Sequence, residues 1–93
     1  MYASSKGALE AFSKDTAREW GPMGSRSNVV VPGFMATAMS STLTDDQRNK
    51  IYALTSLKAA TSRRSVAETG AFLLSEKAES ITGQNIHVDK GTI

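Results

Sequence analysis

The sequence predicts an α/β fold in which helices alternate with parallel strands. Three observations support it: a helix-period pattern at the start of the chain, a short β-branched run in the middle, and an alternating segment near the end. Strands that are separated by helices pair in parallel through right-handed crossovers. Two strands do not form a complete doubly wound sheet, so we expect the rest of the sheet to be absent from these 93 residues.

The first helix is predicted from Tyr2 to Trp20. Apolar and semi-apolar residues recur at intervals of three and four, which is typical of an amphipathic helix, and charged residues fall elsewhere. The apolar stripe consists of Leu9, Phe12, Thr16 and Trp20. We interpret Phe12 and Trp20 as core or subunit-contact residues. The helix is expected to stop at Gly21-Pro22, because proline does not continue a helix.

A strand and a polar segment are predicted next. The β-branched run from Ser27 to Val31 is typical of a buried parallel strand, and Pro32-Gly33 ends it. The stretch from Phe34 to Leu57 is polar and is expected to be a loop followed by a short helix. Thr44 and Gln47 have the spacing of a capping box, which marks the start of that helix.

Another helix and a final strand complete the predicted order. The helix runs from about Arg63 to Ser75, with Ser62 as its N-cap. Its inner face is expected to contain Val66, Gly70, Leu73 and Leu74. Two features disfavour this helix: its first residues are arginines at the positive end of the dipole, and Gly70 costs about 1 kcal/mol relative to alanine. Alternation of side chains predicts the last strand at Gln84 to Asp89.

Composition excludes several classes of function. The net charge is +2, but basic residues are scattered among acidic ones and no basic stripe with interleaved aromatic residues occurs, so nucleic-acid binding is not expected. The absence of cysteine excludes disulfides, thiol catalysis and zinc-thiolate sites. No apolar run approaches about 18 residues, and no signal-peptide pattern occurs. We therefore expect a cytoplasmic, single-domain chain without a membrane partner.

Tyr2 and Lys6 are the leading catalytic candidates. Positions four apart on a helix share one face, so both side chains can reach a common substrate and cofactor. A nearby ammonium lowers the pKa of a phenol from its usual value near ~10, which would let Tyr2 protonate a carbonyl oxygen or deprotonate an alcohol. Taken alone, the spacing favours an ordinary pair on a helix surface, because chance supplies it often.

Other candidate sites are weaker. Ser4 or Ser5 as a hydrolytic nucleophile is disfavoured, because the only histidine, His87, lies on the final strand and no nucleophile elbow occurs. One histidine without cysteines does not form a metal site. Asp45-Asp46 is better explained as favourable charge at a helix start than as a catalytic carboxylate pair.

Five blocks of sequence follow one another along nearly the whole chain. They are YASSKGAL at 2–9, AREWGP at 17–22, VPGFMAT at 31–37, ITGQ at 81–84 and VD at 88–89. In order and spacing they resemble the C-terminal part of the short-chain dehydrogenase/reductase family, and within it they resemble the 3-oxoacyl-[acyl-carrier-protein] reductases in particular. The resemblance implies a Rossmann-like, doubly wound parallel sheet that lacks its N-terminal dinucleotide-binding half.

The resemblance implies a role for each matching residue. Tyr2 would be the general acid/base, and Lys6 would lower the pKa of Tyr2 and bind the ribose hydroxyls of the nicotinamide nucleotide. Pro32-Gly33 would shape the turn against the nicotinamide ring, Thr37 would contact the carboxamide, and the backbone of Met35 would add a further contact. With Tyr2 and Lys6, these residues form the implied cofactor site. The cofactor would be NADP or NAD, with NADP favoured.

The resemblance also divides the chain into four segments. They are the catalytic helix at 1–21, the strand and cofactor turn at 27–33, the substrate lid at 34–61, and a helix with the terminal strand at 62–93. A homotetramer is implied, with the last helix and strand at an interface. The implied substrate is a 3-oxoacyl thioester, carried on acyl carrier protein, and the alternative is a sugar, a polyol or another secondary alcohol.

The chain departs from the family's pattern at several places. A Gly-Arg-Phe-Gly-like turn and a Pro-Glu-Glu helix start are replaced at residues 58–61 and 63–65, and the usual Val-Asp-Gly-Gly ending contains Lys90. The glycine-rich dinucleotide loop, the asparagine motif and the serine upstream of the tyrosine are not in the sequence. The rival hypothesis is therefore a non-catalytic fragment that associates through its first helix and last strand. Met1 is compatible with an initiator or with an internal position.

Overall fold

The computed structural model describes residues 2–35 and 42–92, and it describes side chains from Ser5 onward. The principal elements are α1 (Tyr2–Trp20), β1 (Val29–Pro32), α2 (Asp45–Ala53), α3 (Arg63–Leu74) and β2 (Asn85–Val88). Short 3₁₀ helices occur at Gly21–Met23 and Glu76–Ala78. This order confirms the predicted α/β class and the predicted sequence of helices and strands.

The two described strands pair in parallel. The Val29 N–H donates to the Gln84 carbonyl at 2.9 Å, and four residues later the Gly33 N–H donates to the Val88 carbonyl at 3.0 Å. Both strands therefore advance in the same direction, as predicted. β1 begins two residues later than predicted, because Asn28 bonds through its side chain: its amide donates to the Ile81 carbonyl at 2.9 Å and accepts from the Gln84 N–H at 3.1 Å.

The chain divides into two compact units, which are treated separately below. The first unit contains residues 1–29 and 72–86, and the second contains residues 30–71 and 87–93. No helix among residues 2–35 and 42–92 is long and apolar enough to span a membrane. In the same part of the chain, no three histidine, cysteine, aspartate or glutamate side chains cluster in a way that could hold a metal ion.

In the first unit, α1 packs through small residues rather than through its apolar stripe. Ser13 and Ala17 are buried, whereas Leu9, Phe12 and Trp20 are 57%, 69% and 47% exposed. The buried face is narrow because the Ser13 hydroxyl lies 2.9 Å from the Ser27 hydroxyl, which leaves no room for a large side chain. The core interpretation of Phe12 and Trp20 is therefore wrong within this chain, and their role as subunit contacts stays a prediction.

The first unit also contains an arginine that sequence reasoning did not single out. Arg26 donates through Nη1 to the Leu73 and Ala78 carbonyls at 2.7 and 2.8 Å, and through Nη2 to the Ser75 carbonyl at 3.2 Å. The last carbonyls of a helix have no partner within the helix and carry partial negative charge. Arg26 therefore caps the C-terminal end of α3 and the turn that follows it.

The predicted helix starts of the second unit are confirmed. The Gln47 N–H donates to Thr44 Oγ1 at 3.2 Å, and the Thr44 N–H donates to Gln47 Oε1 at 2.9 Å, which completes the capping box of α2. Ser62 accepts from the Ser65 N–H at 3.0 Å and so caps α3. Of the predicted inner face of α3, Leu73 is buried, but Leu74 is 86% exposed. The prediction for Leu74 is wrong because neighbouring residues on a helix point about 100° apart.

Two lysines of the second unit adopt the left-handed conformation that favours glycine. The φ of Lys58 is 55° and that of Lys90 is 60°. Both stand at positions where the resemblance implies glycine, and each adopts a conformation that glycine favours. Lys58 has a local partner, since its Nζ donates to the Ala53 carbonyl at the end of α2 at 2.7 Å.

Candidate functional site

The predicted proton-relay residues lie on one helix. Tyr2 and Lys6 fall within the first two turns of α1, so their Cα atoms occupy one face of that helix, as the spacing predicts. The Lys6 side chain is partly buried. The Tyr2 side chain lies outside the described side chains, and the geometry between phenol and ammonium stays a prediction.

The predicted cofactor turn lies directly after β1. Its backbone is held on both sides: the Gly33 N–H donates to the Val88 carbonyl at 3.0 Å, and the Phe34 carbonyl accepts from the Thr61 N–H at 2.8 Å. In open α/β sheets, ligands bind at the carboxyl ends of the strands. The turn therefore has the place and the fixed backbone that a cofactor contact requires.

Gly33 is required by close packing rather than by its backbone conformation. A Cβ at this position would lie 2.7 Å from Asp89 Cβ, 2.8 Å from Asp89 Cα and 3.0 Å from Thr61 Oγ1. Two of these atoms belong to the backbone or to its first side-chain carbon, so neither can move away cheaply. Any side chain at position 33 would displace the turn from β2.

The turn also contacts the predicted lid segment. The rings of Phe34 and Tyr52 lie with centroids 6.0 Å apart at an interplanar angle of 57°, a tilted arrangement that aromatic pairs favour. Both side chains are partly buried. Since Tyr52 belongs to α2, this pair joins the lid helix to the residue that follows Gly33.

A cavity of about 460 Å³ adjoins the turn within the second unit. Its lining residues are Ser56, Leu57, Thr61, Ser65, His87, Val88, Asp89, Lys90 and Gly91. Asp89 is held in place, since its Oδ1 accepts from the N–H groups of Gly91 and Thr92 at 2.9 and 3.3 Å. The half-exposed His87 places Nδ1 3.8 Å from Asp89 Oδ2. The cavity thus combines hydroxyl, imidazole, carboxylate and ammonium groups with the apolar side chains of Leu57 and Val88.

The structure brings some predicted site residues together. Pro32, Gly33 and Met35 are consecutive or nearly so at the end of β1 in the second unit, and Tyr2 and Lys6 share α1 in the first unit. Thr37 lies outside the described residues, so its predicted contact with the carboxamide stays a prediction.

Sequence reasoning missed three residues that surround the turn. Thr61 and Tyr52 belong to the predicted lid segment at 34–61, and their contacts with the turn depend on residues about 20 to 30 positions away along the chain. Asp89 was noticed only as part of the Val-Asp block. Its proximity to Gly33, 56 positions earlier in the numbering, follows from the pairing of β1 with β2.

Comparison with known proteins covers nearly the whole chain. A family model described as enoyl-(acyl carrier protein) reductase matches residues 1–92. The 3-oxoacyl-[acyl-carrier-protein] reductase FabG of Salmonella typhimurium is 42% identical over 90 residues, which is 97% of this chain and 37% of that protein.

Two further relatives agree with this result. The enzyme of the same name from Escherichia coli strain K12 has the same identity and coverage, and the one from Staphylococcus epidermidis is 38% identical over 90 residues. The chain spans little more than a third of the length of these relatives, since it covers 37% of each.

Proposed function

Because this chain belongs to the short-chain dehydrogenase/reductase family, we propose that it forms the proton-transferring part of an NAD(P)H-dependent carbonyl reductase. The observation that carries the proposal is the turn at Gly33. Its backbone is held by β2 and by Thr61, and there is no space for a side chain on the packed side. A backbone fixed in this way suits close approach of a flat ring, which is the role that the family resemblance implies.

Five residues of this chain would hold the nicotinamide end of the cofactor besides Tyr2. They are Lys6, Pro32, Gly33, Met35 and Thr37. Bound nicotinamide nucleotide supplies the hydride that the reaction requires. The turn fits this group at Gly33, which presents backbone rather than a side chain. NADP is favoured over NAD.

The remaining chemistry belongs to Tyr2 and Lys6. The Tyr2 hydroxyl would donate a proton to the carbonyl oxygen of the substrate, and in the reverse direction the phenolate would accept a proton from the alcohol. The Lys6 ammonium would favour the phenolate and bind the ribose hydroxyls. Phe34 and the lid helix α2 would shape the substrate side of the site, since Tyr52 packs on Phe34.

The proposed substrate is a 3-oxoacyl thioester, presented on acyl carrier protein. The names of the relatives support this class, whereas the description of the matching family model names enoyl reduction, so a 2-enoyl thioester is the first competing substrate. A sugar, a polyol or another secondary alcohol is the wider alternative. The proposal includes a cytoplasmic location and assembly as a homotetramer, both implied by the family.

A second function is favoured by the outer face of α1. Leu9, Phe12 and Trp20 are exposed, which is unusual for three large apolar side chains on one helix and typical of an interaction surface. On this view the 93 residues associate but do not turn over substrate. The two functions differ in a measurable way, because only the first requires nucleotide binding and Tyr2.

The proposal is tested by a chimera. The matching segment of the Escherichia coli relative, 42% identical, is replaced by this chain, so that a complete nucleotide-binding half is present. We expect NADPH oxidation with an acetoacetyl thioester and little with a crotonyl thioester. Tyr2→Phe should lower kcat by roughly 100-fold or more, the usual size of a general acid/base contribution.

Matched variants on the same helix make the result specific. Ser5→Ala should leave kcat within about twofold. Lys6→Met should lower both kcat and the affinity for NADPH, whereas Lys14→Met should alter neither. A folded chimera that binds NADPH but keeps its activity after Tyr2→Phe would contradict the proposal. A folded chimera without NADPH binding would favour the interaction fragment.

A further inference from the structure

Thr61 occupies an unusual position behind the cofactor turn. Only 4% of the residue is exposed, and its hydroxyl has no hydrogen-bond partner among the described residues. Buried hydroxyls are normally paired, so this one requires an explanation. The family resemblance offers none, because Thr61 lies in the 58–61 stretch where the chain departs from the family's pattern and replaces a glycine.

Two close contacts of Thr61 are with the turn. Its backbone N–H donates to the Phe34 carbonyl at 2.8 Å, and its Oγ1 lies 3.0 Å from the point where a Cβ of Gly33 would stand. On the same side of Gly33, Asp89 is closer still, and two backbone N–H groups hold its carboxylate. Gly33 is therefore packed against Asp89, whose carboxylate is held, and against Thr61, whose backbone is bonded to the turn.

We propose that Thr61 is a positioning residue that keeps the Gly33 turn in the geometry required for nicotinamide binding. Its contribution is volume and stiffness rather than hydrogen bonding. A β-branched side chain has few allowed rotamers, so it gives Gly33 a rigid neighbour. Its hydroxyl makes no hydrogen bond to residues 2–35 or 42–92. This inference rests on the proposed function, because the turn is the proposed nicotinamide contact.

The cavity explains why the Thr61 side chain is needed beside Gly33. Thr61 stands between Gly33 and the space of about 460 Å³ lined also by Ser65 and His87. Without its side chain, the turn would border open space instead of packed atoms on that side. The backbone of Gly33 and Phe34 would then sample more conformations, and nucleotide affinity would fall because the bound geometry is less populated.

The test compares Thr61→Ala with Thr61→Val. Alanine removes the γ atoms that pack beside Gly33, whereas valine keeps the shape and branching of the side chain and removes only the hydroxyl. Amide hydrogen exchange is measured in the folded chain and in both variants, at Gly33 and at Thr61. The Gly33 N–H donates to the Val88 carbonyl, and the Thr61 N–H donates to the Phe34 carbonyl. We expect Thr61→Ala to speed exchange at both amides by about fivefold or more, and Thr61→Val to leave it unchanged or slower. Gln47, in the capping box of the same unit, is the reference amide and should not change.

Nucleotide binding gives the second readout. In the chimera described above, Thr61→Ala should raise the NADPH dissociation constant by roughly three- to tenfold, and Thr61→Val should stay within about twofold of the unsubstituted chimera. Equal exchange rates at Gly33 and Thr61 in all three proteins would overturn the proposal. An equal increase of these rates in Thr61→Ala and Thr61→Val would also overturn it. A uniform increase that includes Gln47 would also overturn it, since that is general destabilisation. If the unsubstituted chimera does not bind NADPH, the proposed function fails by itself, and exchange still decides the role of Thr61.

Discussion

The two compact units are stabilised in different ways. In the first unit, polar side chains bond to backbone carbonyls: Arg26 holds three of them, and Asn28 holds the segment before β2. In the second unit, the Gly33 backbone lies so close to Asp89 and Thr61 that no side chain fits at position 33. The first unit should therefore be sensitive to loss of polar groups, and the second to addition of atoms.

The difference also separates the proposed association surface from the proposed cofactor turn. The first unit carries α1, whose outer face exposes Leu9, Phe12 and Trp20. The second unit carries the turn proposed to receive the nicotinamide. A surface that associates can be broad and apolar, whereas a cofactor contact requires a backbone fixed in one conformation. Each property follows from how its unit is packed.

The largest effect on stability is expected for Arg26→Met in the first unit. The substitution keeps an unbranched side chain but leaves three carbonyls without their charged donor, and hydrogen bonds to charged groups contribute about 1.5–3 kcal/mol. We expect a loss of about 3 kcal/mol in the free energy of unfolding, measured by urea denaturation with circular dichroism. Arg18→Met, at an exposed position of α1, is the control and should change stability by less than about 0.5 kcal/mol. Equal effects would show that the Arg26 bonds do not matter.

A smaller effect is expected for Gly33→Ala in the second unit. The added methyl group would stand 2.7 Å from Asp89 Cβ, and overpacking of this kind costs about 1–3 kcal/mol. The control is Gly70→Ala on α3, where a Cβ meets nothing within 4 Å. That substitution should stabilise the chain by up to about 1 kcal/mol, because alanine is the better helix former. If both substitutions change the free energy of unfolding in the same direction, the proposed difference between the two units is contradicted.

Asn28→Ala should destabilise the first unit by about 1 kcal/mol. It removes one bond to the Ile81 carbonyl and one from the Gln84 N–H, each a neutral hydrogen bond that is only partly buried or exposed. The same denaturation assay measures it. Asn49→Ala, at an exposed position of α2, serves as the control. If the Asn28 variant is as stable as this control, the Asn28 bonds do not stabilise the first unit. Of the two residues, only Arg26 would then stabilise it through bonds from a side chain to the backbone.

The smallest effect on folding is expected on the outer face of α1. Phe12→Ser should change the free energy of unfolding of the dilute chain by less than about 0.5–1 kcal/mol, because the ring is already 69% exposed. The same substitution should lower self-association, measured by analytical ultracentrifugation over a concentration series. Ala11→Ser, the neighbouring exposed position, is the control. Unchanged association would remove the support for an interaction surface on this face.

Local features of the fold could be predicted from the sequence. The capping box of Thr44 and Gln47 and the N-cap of Ser62 depend on residues three apart, so they were found without knowledge of the fold. The apolar stripe of α1 was also correctly located on one face, but its burial was not. Periodicity identifies a face and does not identify the partner that covers it. In this chain, Ser13 and Ala17 face the rest of the first unit instead.

The candidate site was likewise predicted only in part from the sequence. Tyr2, Lys6, Pro32 and Gly33 were predicted from motifs, and the comparisons confirm the family to which those motifs belong. Thr61, Tyr52 and Asp89 were not predicted as neighbours of the turn. No local pattern marks them, because their contacts arise from the pairing of distant segments.

The sequence by itself determined the order of helices and strands, the caps that start α2 and α3, and the family of the chain, because these depend on residue type at short spacing and on ordered motifs. Only the tertiary structure decided which face of α1 is buried, why position 33 must be glycine, and what stands behind the turn. Those properties depend on distances between segments far apart in the chain. Parallel pairing of β1 with β2 sets Asp89 against Gly33, and the start of α3 sets Thr61 beside them.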